Sequence, residues 1–148
     1  MINLNGNSSS SRQVTFITHP SIQSKAFASY LSETLMAPVV LQNINKPLAQ
    51  RLAKDSVILF DIAVSNKKLN GVWRDIIRLQ ADNPRLLIIN SAQKYELYEM
   101  AQWPALYGVF RHDDDESRLI EGVKAVLNGE QTAELSVMHP AMYAADHA

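Results

Sequence analysis

Ser56-Val-Ile-Leu-Phe-Asp61 is the stretch that decides the fold. Four apolar residues run without polar interruption between a serine and a single carboxylate. A continuous run of this kind predicts a strand buried on both faces, as in a parallel sheet. In an open parallel sheet, ligands and chemistry collect at the carboxyl ends of the strands. Asp61 stands at that edge.

The flanking sequence supplies partners for this strand. Upstream, Gln13-Val-Thr-Phe-Ile-Thr18 is a short β-branched and aromatic run stopped by His19-Pro20, and Val39-Val-Leu-Gln-Asn43 is another. Downstream, Arg85-Leu-Leu-Ile-Ile-Asn90 and Leu106-Tyr-Gly-Val-Phe110 complete a set of five strands. Helical spacing fills the gaps. Ser21 suits an N-cap, and behind it Ile22, Ala26, Phe27, Tyr30, Leu31 and Leu35 predict one buried face. A short helix is expected over Pro47 to Lys54, with Leu48, Leu52 and Ala53 inward. A third is expected over about Leu69 to Gln80, carrying Leu69, Val72, Trp73, Ile76 and Ile77. A weaker one, Lys94 to Gln102, holds Leu97, Tyr98 and Ala101. The last begins at Asp113-Asp-Asp-Glu116, where the helix dipole favours negative charge, and buries Leu119, Ile120, Val123, Val126 and Leu127. Asn128-Gly129 ends it.

Strand–helix units in this order predict an α/β protein with a five-stranded parallel sheet, doubly wound and flavodoxin-like. One domain is expected over residues 12–128, preceded by a Ser/Asn-rich lead-in at 1–11 and followed by a tail, or the start of an extra helix, at 129–148.

Composition narrows the function. The chain has 148 residues and a formal net charge of −1, which gives no electrostatic case for a nucleic-acid surface. With no cysteine, thiolate catalysis and zinc–thiolate sites are excluded. No apolar run approaches the roughly 20 residues of a membrane-spanning helix, and Met1 to Ser11 lacks the basic and apolar regions of a secretory signal. The expected location is the cytoplasm.

Five strand–helix units with an Asp closing the third strand resemble a response-regulator receiver domain, in which that Asp accepts a phosphoryl group. The second half is more specific. Leu59-Phe-Asp-Ile62, Lys67-Lys-Leu69 with Trp73, Leu87-Ile-Ile-Asn-Ser91, Gln102-Trp-Pro-Ala-Leu-Tyr-Gly-Val-Phe110 and Gly122-Val-Lys-Ala-Val-Leu-Asn-Gly-Glu130 are similar to the N-terminal domain of the CsgD/VpsT regulators. These are LuxR-type transcription factors that switch on biofilm matrix production. The resemblance implies a non-enzymatic regulatory domain that acts as a homodimer. It also implies DNA contact through a helix-turn-helix domain, which this sequence does not contain. Two other readings are a conventional receiver phosphorylated on Asp61 and a small flavodoxin-like enzyme or nucleotide binder. Thr18-His-Pro-Ser21 stands where the last would need a glycine-rich phosphate loop.

The resemblance also says where a receiver keeps its chemistry. Phosphorylating an Asp needs a divalent cation, and Mg²⁺ wants several oxygen ligands. Receivers place a pair of acids just after strand one, where this chain has Thr18 and His19. They place a Ser or Thr after strand four, where Ser91 (or Asn90) stands, and a Lys after strand five, where His112 stands beside Arg111. The expectation is an acceptor-like Asp61 without metal ligands, no metal and no cofactor. Asp61 as a mere cap of the following loop is the other reading. VpsT-type regulators also bind cyclic di-GMP through a Trp-x-(Thr/Ser)-Arg motif after the last receiver helix. Thr132 and Leu135 occupy its Trp and Arg places, so the motif is absent.

Tyr95, Leu97, Tyr98, Met100 and Trp103 crowd one short segment. Tyr and Trp are enriched at interface centres, so Tyr95, Tyr98 and Trp103 are candidate dimer contacts.

Overall fold

A computed structural model describes residues 13–92 and 97–129. Its elements are β1 (Val14–Thr18), α1 (Ile22–Leu35), β2 (Val39–Asn43), β3 (Val57–Asp61), α2 (Lys67–Gln80), β4 (Arg85–Ser91), α3 (Leu97–Ala101), β5 (Leu106–Arg111) and α4 (Glu116–Leu127). The strands form one sheet in the order β2-β1-β3-β4-β5, every pairing parallel. This is the flavodoxin-like order, and its switch point lies between β1 and β3.

All five residues of β3 are buried, as its unbroken apolar run requires. Side chains alternate across the sheet, and each parity meets its own layer. Val14 and Phe16, Val57 and Leu59, and Leu87 and Ile89 pack with Leu31 of α1 and with Ile120, Val123 and Val126 of α4. Ile17, Ile58, Phe60, Leu86 and Ile88 pack on the other side with Trp73 and Ile77 of α2, Met100 and Trp103. Gly122 lets α4 lie against β5, because a Cβ there would overlap the Phe110 ring.

Local signals account for the helix ends. Ser21 and Ser24 form a reciprocal capping box at the start of α1. Asn66 caps α2, accepting from Leu69 N–H at 2.8 Å. Asn128 and Gly129, the latter with φ 85°, end α4.

Three expectations need correction. Residues 47–54 form no helix. The Gln42 side chain holds that crossover instead. Its amide donates to Asn43 O and Pro47 O, and its carbonyl accepts from Ala49 N–H at 3.0 Å. Leu52 still turns inward. In α1, the buried stripe is Ala28 and Leu31 with Phe27 and Leu35. Ile22, Ala26 and Tyr30 lie outside that stripe and are exposed. In α3, Met100 is buried and Ala101 is exposed.

Candidate functional site

The sheet register builds the site. Ile17 of β1 pairs with Phe60 of β3, so the next residues, Thr18 and Asp61, come side by side at the carboxyl edge of the switch point. Both follow the parity of the α1/α4 layer. Asp61 is 7% exposed and Thr18 2%. Thr18 Oγ1 donates to Asp61 Oδ2 at 2.7 Å. Asp61 Oδ1 accepts from Ala63 N–H at 3.2 Å, which caps the single 3-10 turn Ile62–Val64.

A second donor to Oδ1 comes from β4. Strict alternation would send Asn90 to the far face with Leu86 and Ile88. Asn90 instead has φ 62°, and the β4–β5 register shifts between Ile88 and Ser91. Asn is among the few non-glycine residues that adopt this conformation at modest cost, and a bulge re-aims the side chain it carries. Asn90 Nδ2 then donates to Asp61 Oδ1 at 3.1 Å. Ser91 is buried next to it, and its carbonyl accepts from His112 N–H at 3.0 Å.

Asp61 therefore sits in a nest of three hydrogen-bond donors, two of them uncharged side chains. None of the ion pairs among the described residues involves it. A buried carboxylate held this way is oriented and desolvated, with no cation to offset a second negative group. No group of three or more His, Cys, Asp or Glu suited to a metal occurs among the described residues. One carboxylate alone makes a poor Mg²⁺ site.

The nest opens onto a cleft of about 330 Å³ between the sheet edge and α1. Phe16, Phe27 and Leu119 give it apolar walls, and His19, Ser21 and Gln23 a polar rim. His19 is exposed at this rim. His112 is also exposed and lines a smaller neighbouring cleft with Arg111. Arg111 makes an ion pair with Asp113 at 3.1 Å.

Of the residues singled out in the sequence, the structure brings Thr18, His19 and Asp61 to one cleft and seats Ser91 just behind it. Asn90, which the receiver resemblance offers as the alternative to Ser91 after strand four, is the one of the two whose side chain donates to Asp61. The Trp103 ring is 5% exposed and packs on Phe60, centroids 5.0 Å apart, with the Arg74 guanidinium 5.3 Å above it. That ring belongs to the core and leaves no face for a partner, so it drops out of the candidate contact. Tyr95 lies outside the described residues. Tyr98 lies in α3, and its side chain falls outside what is described. Thr132 and Leu135 are likewise outside.

Sheet order 2-1-3-4-5 with an acidic residue closing the third strand at the switch point defines a receiver-type α/β domain. A family model for the VpsT-like receiver domain matches residues 16–133. The chain belongs to that family. It is 32% identical over 114 residues to the CsgBAC operon transcriptional regulatory protein of Escherichia coli (strain K12), covering 77% of this chain and 52% of the relative. It is 29% identical over 123 residues to the probable csgAB operon transcriptional regulatory protein of Salmonella typhimurium (strain LT2), covering 83% of this chain and 56% of the relative. The chain thus spans about half the length of these curated relatives. Among solved structures, the regulatory domain of the master biofilm regulator CsgD matches with a TM-score of 0.76 at 28% identity, over 81% of this chain and 90% of that one. Among the described residues, no helix is long and apolar enough to cross a membrane.

Proposed function

We propose that this chain is the non-enzymatic regulatory domain of a CsgD/VpsT-like transcription regulator, that Asp61 is a relic acceptor, and that the domain works by self-association. The carrying observation is the 2.7 Å hydrogen bond from Thr18 to Asp61. The strand-one edge, where a receiver needs metal-binding carboxylates, offers a hydroxyl that donates to Asp61 instead. Without a metal to offset charge, a phosphodonor approaching a buried carboxylate meets repulsion. The absence of the cyclic di-GMP motif at Thr132 and Leu135 removes the family's other input. What is left is contact between copies. A LuxR-type regulator places two helix-turn-helix domains on two half-sites, so its regulatory domains must hold the copies together. The relatives' names, which speak of transcriptional regulation of csg operons, support this role, with biofilm matrix genes as targets.

Intact-mass measurement after incubation with acetyl phosphate and Mg²⁺ tests the relic assignment. The unmodified mass is expected. A stable gain of one phosphoryl group that Asp61→Ala abolishes would restore the phospho-accepting reading.

A further inference from the structure

We infer that the exposed face of α1 is the two-fold contact with a second copy of this chain. The inference rests on the self-association proposed above and gives it a place.

The first observation is apolar surface in the wrong place. Ile22 is 89% exposed and Met36 91%. Lys25, Ala26, Ser29 and Glu33 are exposed between them. At about 100° per residue, Ile22, Lys25 and Glu33 fall within about 40° of the direction of Ser29, and Ala26 within about 60°. Together they form one stripe, opposite the buried Leu31 side of the helix, and Met36, the left-handed C-cap, stands exposed just past its C-terminal end. A solvated helix normally shows a polar outer face. Here both ends of that face are large and apolar, and its centre, Ala26 and Ser29, is small between the charged Lys25 and Glu33.

The second observation is charge. Lys25 lies near the N-terminus of α1 and Glu33 near its C-terminus, and the first turn has no acid and the last no base. Both signs oppose the helix dipole, which favours acids at the start and bases at the end. Neither residue has an ion-pair partner among the described residues. Two turns of helix apart, they do not reach each other.

The third observation is symmetry. Lys25 stands four residues before Ser29 and Glu33 four after; Ile22 stands seven before and Met36 seven after. A two-fold axis through Ser29, with the two α1 helices antiparallel, therefore sets Lys25 of each copy against Glu33 of the other. It also brings Ile22 of each copy to the end of the contact where Met36 of the other copy stands. An isologous contact demands self-complementarity of this kind. The small side chains of Ala26 and Ser29 let the helices approach to about 8 Å. On the axis the two Ser29 hydroxyls meet, and a hydroxyl both donates and accepts, so the pair satisfies itself. The helix pair alone is smaller than the roughly 1,600 Å² of a standard interface, so the contact forms a reversible, weak dimer. The same helix begins beside Ser21 and Ser24, which line the Asp61 cleft.

Sedimentation equilibrium on the whole chain tests this with the wild type and four variants. Ser29→Arg puts two cations on the axis and is expected to weaken the dimer at least about tenfold. Lys25→Glu and Glu33→Lys each convert two attractions into two repulsions and are expected to weaken it about fivefold. The double variant Lys25→Glu/Glu33→Lys restores opposite signs and is expected within about twofold of wild type. Far-ultraviolet circular dichroism checks that all five remain folded, which exposed positions favour. A wild-type dimer indifferent to Ser29→Arg overturns this location and leaves self-association standing. Weakened single variants that the double does not rescue overturn the antiparallel register. A wild type that stays monomeric at several hundred micromolar overturns both the location and the self-association it rests on.

Discussion

Thr18→Val probes the site at its tightest contact. Thr18 is 2% exposed and its hydroxyl is the sole side-chain donor to Asp61 Oδ2 among the described residues, at 2.7 Å. Valine keeps the volume and removes the proton. A hydrogen bond to a charged group contributes about 1.5–3 kcal/mol. The incoming methyl cannot approach the oxygen so closely, which adds strain and opens no route for water at a buried position. For a domain of this size 1 kcal/mol corresponds to about 3–4 °C, so the melting temperature is expected to fall by about 5–12 °C. A double-mutant cycle isolates the contact. In an Asp61→Asn background the charge is gone, and the cost of Thr18→Val is expected to drop to about 1 kcal/mol or less, a coupling of about 1–2 kcal/mol. Urea denaturation at pH 7 gives all four stabilities. A coupling below about 0.3 kcal/mol would refute the claim that this hydroxyl holds the carboxylate.

Three further outcomes follow from the same geometry. Thr18→Asp places a second carboxylate against Asp61, so its stability is expected to become Mg²⁺-dependent, rising by about 1.4 kcal/mol when the ion reaches tenfold its dissociation constant; thermal melts with and without about 10 mM Mg²⁺ read this, and an unresponsive variant counts against the comparison with receiver metal sites. Gly122→Ala drives a methyl into the Phe110 ring and is expected to cost about 1–3 kcal/mol by chemical denaturation; a loss under about 0.5 kcal/mol would show that α4 shifts freely. Cyclic di-GMP is expected to give no saturable heat in calorimetric titration at micromolar concentration. Thr132 and Leu135 supply neither guanine stacking, worth about 1–3 kcal/mol per base, nor a guanidinium for the phosphate, and micromolar binding would point to another pocket.

What the sequence discloses follows the range of the forces involved. β3 and β4 are legible because strands buried on both sides tolerate no polar interruption, and α4 because its apolar positions form a single stripe. Asp61 is legible because it closes the apolar run of β3 at the carboxyl edge; that Thr18 lies beside it comes from the β1–β3 register of the structure. The crossover at 47–54 is not. Its start is held by Gln42, a strand residue whose side chain bonds Pro47 O and Ala49 N–H, and apolar periodicity does not report that. α1 misleads because apolar residues lie on two of its sides, and periodicity alone does not say which faces the sheet. The receiver resemblance puts Asn90 among the candidates after strand four, but its contact with Asp61 is hidden for a similar reason. A bulge reverses its side, and strand alternation assigns it to the opposite layer.

The proposed self-association needs no phosphorylation of Asp61. Sedimentation velocity across a concentration series, run with and without acetyl phosphate and Mg²⁺, tests it most directly. A reversible monomer–dimer equilibrium with the same dissociation constant in both buffers is expected. A monomer that dimerises only when the phosphodonor is present, and loses that response in Asp61→Ala, would contradict it.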